Sequence, residues 1–339
     1  MTSARGTRGW LLLATVAGVL SVVTCLLVPG HDERNRPQPL GAGGGGETTV
    51  AGAPFCPERA PAEVAVAGDS GAAGAADDRW LTRFAAIGDY GINSDGERQV
   101  AALVKGWSPD FVITLGDNNY PSGAVGTIDT NIGQFFHELI GGYVGRFGCG
   151  ARENRFFPAL GNHDLYTDAG RPYVDYFQLP GNERYYDFVR GAVHLFALDS
   201  DGSEPDGNTA GSAQATWLKA RLAASTARWQ VVYLHHAPYS SGAHGSSPEL
   251  QWPYAAWGAD LVLAGHDHTY ERIAVDGITY VVNGLGGAAN YAFGTVVPGS
   301  VARYTGGFGA LLLDADASRM RLRFIGTAGN LIDEAVLGR

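Results

Sequence analysis

The chain is 339 residues long, 45% hydrophobic and 11% aromatic, which is enough to bury a large core as one domain or two. Its formal net charge of −10 argues against a nucleic-acid partner, so any phosphate ligand needs local cations to attract it. Three cysteines (Cys25, Cys56 and Cys149) exclude a disulfide-rich scaffold, fit no zinc-binding spacing, and leave at most one bridge, Cys56 to Cys149, after the first apolar run.

That first run stretches from Trp10 to Val28, uncharged, behind Arg5 and Arg8. At ~1.5 Å per helical residue it matches the hydrocarbon thickness of a bilayer. A membrane anchor over residues 1–28 is the expectation, with a cleaved signal peptide as the alternative. Both readings place the remainder outside the cytoplasm, anchored or secreted. Residues 29–78 are dominated by Gly, Ala, Pro and acidic side chains, including Gly43 to Gly46, and read as a flexible tether.

From residue 79 to 339 the character is that of a folded domain. Apolar runs suited to buried strands occur at Phe84–Ile87, Phe111–Leu115, Phe156–Leu160, His194–Leu198, Val231–Leu234, Leu261–Ala264 and Tyr280–Val282. Two more follow at Ala310–Leu313 and Arg319–Phe324, while Glu97–Trp107 and Ser212–Ala224 carry helical spacing. Strands alternating with helices predict an α/β fold with covered sheets. The late strands lack intervening helices, which predicts that they build a mixed second sheet.

Five of these strands end in polar tails. They are Gly88-Asp89-Tyr90-Gly91, Gly116-Asp117-Asn118-Asn119-Tyr120, Gly161-Asn162-His163-Asp164, His235-His236-Ala237-Pro238 and Gly265-His266-Asp267-His268. In α/β sheets the carboxyl ends of strands gather on one rim, so these tails converge. Oxygen and imidazole donors in this mixture suit iron, manganese or zinc.

The order GD-x-G, GD-x-x-Y, GNHD, V-x-x-H and GH-x-H resembles the calcineurin-like metallophosphoesterases, and within them the purple and tartrate-resistant acid phosphatases. The resemblance runs from about Phe84 to the C-terminus. It implies a four-layer αββα sandwich of two mixed sheets with a dinuclear metal site at one edge. Most of the superfamily has Asp-x-His in the first motif; Asp89-Tyr90-Gly91 lacks that histidine. Tyr120 instead stands where purple acid phosphatases carry a metal-binding tyrosinate. A phenol with an ordinary pKa of about 10 ionises at low pH only beside a strong Lewis acid.

The resemblance therefore implies a trivalent iron held by Asp89, Asp117, Tyr120 and His268. A divalent ion (iron, zinc or manganese) falls to Asp117, Asn162, His235 and His266. His163 is the implied general acid, oriented by Asp164, with His244 as a second substrate-facing imidazole. The implied reaction is hydrolysis of small phosphate monoesters by hydroxide generated at two cations. A phosphodiesterase or nucleotide hydrolase of the same superfamily is the alternative, and a non-catalytic binding protein on a degenerate fold is the alternative of another class.

Other polar residues take structural readings. His194 belongs to a core or edge strand, His137 to a helix surface, and His31 to the tether. Tyr270-Glu271-Arg272 resembles a family feature after GH-x-H and fits a structural ion pair equally well, and Tyr166, Tyr173 and Tyr176 are assigned to the core, with the pocket rim as the alternative. His236 is left as a supporting or substrate-contacting residue. Asn290-Tyr291, with Gly284, Gly286 and Gly287, forms a loop near the expected site.

Overall fold

A strand with no polar face needs cover on both sides, and β1 (Thr82–Ile87) receives it. Phe84 and Ala86 enter a core between two sheets, while Ala85 and Ile87 pack in an outer core beneath helices. The computed structural model describes residues 82–338. Residues 1–28, the tether at 29–78, Cys25, His31 and Cys56 lie outside that range. Cys149 is disulfide-bonded.

The first sheet has the order β13 (Leu331–Gly338), β12 (Arg319–Gly326), β11 (Gly309–Ala315), β1, β2 (Phe111–Thr114) and β3 (Phe156–Pro158). The second runs β10 (Ser300–Tyr304), β8 (Tyr270–Val275), β9 (Ile278–Asn283), β7 (Leu261–Ala264), β6 (Trp229–Tyr233), β5 (Val193–Ala197) and β4 (Tyr186–Arg190). Strands β1, β2 and β3 are parallel, as are β5, β6, β7 and β9, and the others pair antiparallel. Both sheets are therefore mixed.

The expectation that all late strands build the second sheet is corrected. β11 pairs with β1, so β11, β12 and β13 extend the first sheet. Hairpin connections need no helix, so the lack of helices marks antiparallel addition rather than a change of sheet.

Helices cover the two outer faces. Asp95–Gly106 contributes Val100 and Val104 to the outer core of the first sheet. Its capping residue Ser94 accepts from Glu97 N–H, and Glu97 in turn accepts from the N–H groups of Ile92 and Asn93. Ala213–Ala224 places Leu218 and Leu222 against Phe196 and Val232 on the far side of the second sheet. Helix, sheet, sheet, helix is the expected four-layer sandwich. Among the described residues no helix is long and apolar enough to cross a membrane.

Candidate metal centre

The tails of β1, β2 and β3 leave one edge of the first sheet, and those of β6 and β7 leave the same edge of the second. They are tied across the seam. His235 Nδ1 donates to the Leu115 carbonyl at 2.8 Å, and the His266 N–H donates to Asp89 Oδ2 at 2.9 Å. Space here is tight enough to dictate glycine. A Cβ on Gly161 would lie 2.2 Å from the Asp117 nitrogen, and one on Gly116 would lie 2.5 Å from His235 Nδ1. Asp89, Asp117 and His266 all have left-handed backbones, with φ of 56°, 52° and 71°. Such strain clusters where surrounding structure holds side chains for function.

Two groups of donor atoms result. In the first, Tyr120 Oη lies 2.8 Å from Asp117 Oδ2, 3.2 Å from His268 Nε2 and 3.3 Å from Asp89 Oδ1. In the second, His235 Nε2 lies 3.0 Å from Asn162 Oδ1, 3.1 Å from His266 Nδ1 and 3.5 Å from Asp117 Oδ1. Asp117 belongs to both, one oxygen to each. The structure thus brings together all seven residues expected as ligands.

These atoms fit cations by their own chemistry. His235 spends Nδ1 on a carbonyl, so Nε2 alone faces a carboxylate oxygen, an amide oxygen and a second imidazole nitrogen. One proton can bridge only one of those contacts; a cation serves them all. Electrostatics agree. Burial opposes the charged form of His235, but Asp117 and Asp89 outweigh it and raise its pKa. Burial, then the neighbouring imidazoles, hold His266 far below its ordinary value, neutral and ready to ligate. Burial also opposes ionisation of Asp89, yet His268 and His235 keep its carboxyl below the usual range. Burial, then Asp89 and Asp117, push the Tyr120 phenol far up, so it becomes a phenolate only with positive charge beside it.

The proton-transfer candidates sit on this rim with one correction. His163 is partly exposed, and Nδ1 donates to the Pro121 carbonyl at 2.6 Å while Nε2 lies 4.0 Å from Asp117 Oδ2. Asp164 does not orient it. Its carboxylate accepts from the N–H groups of Gly161 and Asn118 and from Asn118 Nδ2, stitching the second tail to the third. Burial, then the charge of Asp117, push Asp164 up to about 6. The His244 ring stands 4.2 Å from that of His266.

Two supporting residues, Asp267 and Ser200, escaped the sequence because their partners are distant. Buried Asp267, on the unread middle position of GH-x-H, accepts from the N–H groups of His244 and Gly245 and from Ser240, and so anchors the His244 loop. His236, its pKa lowered to about 3 by burial and by His235, pairs through Nδ1 with Ser200 and lies against His266. Tyr291 stacks flat on His268 at 4.1 Å. Tyr166, expected in the core, is exposed beside His163. Tyr173 is buried as expected, Tyr176 only partly so, and His194 is a buried strand residue paired with Asp187. Arg272 forms an ion pair with Asp333, and Glu271 accepts from the Ser241 hydroxyl.

A two-sheet sandwich with paired cation cradles at its strand ends defines the class of metal-dependent phosphoester hydrolases. The chain belongs to the calcineurin-like phosphoesterase family, whose model matches residues 82–270. It is similar to purple acid phosphatase 17 of Arabidopsis thaliana, 26% identical over 240 residues that cover 61% of this chain and 68% of that protein. It is also similar to human tartrate-resistant acid phosphatase type 5, 24% identical over 60% of this chain and 72% of that protein. Among solved structures it resembles a purple acid phosphatase from yellow lupin seeds, with a TM-score of 0.62 and 20% identity. That match covers 76% of this chain and 54% of the lupin chain, so this chain spans about half the length of that relative and the likeness concerns the fold.

Proposed function

We propose that this chain is a phosphomonoesterase of the acid phosphatase type, exported from the cytoplasm and acting on small phosphorylated substrates. The first donor group suits trivalent iron and the second a divalent ion such as zinc, manganese or iron. One observation carries the reading: Tyr120 Oη is within 3.3 Å of two carboxylates and an imidazole, a setting that rewards a strong Lewis acid.

Bound cations in these groups supply the charge that clamps phosphate oxygens and acidifies water. The chain's own residues do the rest. Asp117, one oxygen in each group, fixes the spacing of the two. Pro121 O holds His163 with Nε2 turned toward Asp117, where it delivers a proton to the departing oxygen. His244, anchored through Asp267 with its ring 4.2 Å from that of His266, serves as the second substrate-facing imidazole. Relatives named as acid phosphatases support the monoester reading. The apolar run from Trp10 to Val28 behind Arg5 and Arg8 supports export.

The test is hydrolysis of a nitrophenyl phosphate monoester and the matching diester from pH 4 to pH 9. Monoester turnover strongest on the acid side is the expected result. Diester preference near neutral pH would replace this reading with a phosphodiesterase.

A further inference from the structure

We propose that Tyr166 is a positioning residue for the second donor group, holding the Asn162 amide with its oxygen turned toward the cation. The inference rests on Asn162 being a ligand. Asn162 opens the short helix Asn162–Leu165 and Tyr166 caps its far end, so the two side chains meet one turn apart. Asn162 Nδ2 donates to Tyr166 Oη at 2.8 Å, while Asn162 Oδ1 lies 3.0 Å from His235 Nε2.

An amide has two unlike ends, and a cation accepts only the oxygen. The phenol oxygen gives the N–H end a partner and holds the amide plane, which leaves Oδ1 facing inward. Tyr166 is 62% exposed, so water would satisfy its hydroxyl without Asn162. Nor does core packing require a hydroxyl there. The ring meets His163 at 5.0 Å and 61°, so Tyr166 touches both polar residues at the head of this motif. Partners of this kind orient ligands and tune affinity by about 10–100-fold.

The experiment titrates Zn²⁺ into the full chain, stripped of metal by a chelator, and reads affinity by calorimetry. Tyr166→Phe keeps the ring and removes only the oxygen. Its Zn²⁺ affinity is expected to fall roughly tenfold, with the melting temperature of the metal-free protein unchanged. Asn162→Ala is expected to lose at least as much, and the double variant no more than Asn162→Ala alone, because both act through one amide. Wild-type affinity in Tyr166→Phe beside a weakened Asn162→Ala overturns the proposal and leaves the ligand reading standing. Wild-type affinity in Asn162→Ala removes that reading, and the proposal falls with it.

Discussion

Gly91 carries no side chain, and the second motif uses the space. A Cβ there would lie 1.6 Å from the Asn118 carbonyl oxygen, while the Gly91 carbonyl accepts the Tyr120 N–H at 2.7 Å. The glycine that replaces the superfamily's usual histidine is therefore also what lets Tyr120 reach the first donor group. Gly91→Ala is expected to destabilise by about 1–3 kcal/mol or more, because backbone rather than a flexible side chain must move. Denaturant midpoints measure this, and an unchanged midpoint would refute the packing argument. His163 makes a different prediction. Its Nε2 lies 4.0 Å from the nearer Asp117 oxygen and it belongs to neither donor group, so His163→Ala should keep its metal. Turnover should fall about 10²–10⁴-fold, and more for alkyl than for nitrophenyl phosphates, since a poor leaving group depends most on the acid. Equal losses on both would mean that His163 does not protonate the leaving oxygen.

At the scale of elements, the sequence exposed what was continuous and hid what was half-buried. All nine expected strands exist, because each is an apolar run buried on both faces or in regular alternation. The four unread strands are β4, β10 and β13, which are sheet edges, and β8 beside an edge. β10 and β13 are half-exposed throughout, and an edge strand with one bare side needs no apolar signature. The metal tails were legible for the converse reason: glycine followed by Asp, Asn or His after an apolar run puts the signal in consecutive residues. Asp267 and Ser200 act through contacts that no local pattern encodes. One unread strand matters to cohesion. Asp333 of β13 accepts from Arg272 and Tyr270 of β8, joining the two sheets at their outer strands. Burial favours its neutral form, but Arg272 and Tyr270 outweigh burial and hold its pKa below the ordinary value. A depressed carboxylate stabilises fully above its unfolded pKa of about 4 and loses that contribution as pH falls through the folded value. Asp333→Asn should thus cost roughly 1–2 kcal/mol at pH 7 and progressively less below pH 4. A cost that stays constant across that range would exclude the ion pair as its cause.

Across the whole molecule, the candidate centre lies where the two sheets meet. Asp89, Asp117 and Asn162 follow strands of the first sheet; His235, His266 and His268 follow strands of the second. Each donor group takes members from both, so a cation held by either group would fasten the two sheets together as well as supply charge for chemistry. Without it, the seam holds two carboxylates facing a buried phenol and a His266 imidazole whose protonation burial and the neighbouring imidazoles oppose. Chelation is therefore expected to lower thermal stability in addition to abolishing turnover. A cation present at 100 times its dissociation constant contributes roughly 2.7 kcal/mol to the folded state. For a domain of this size that is a drop of roughly 5–10 °C in Tm on stripping. Asp117→Asn serves as the control: its midpoint should already be low and respond little to chelator or to restored metal, since both groups have lost a charge. A wild-type midpoint indifferent to chelation would show that the two sheets cohere without the centre, and would restrict the cations to chemistry alone.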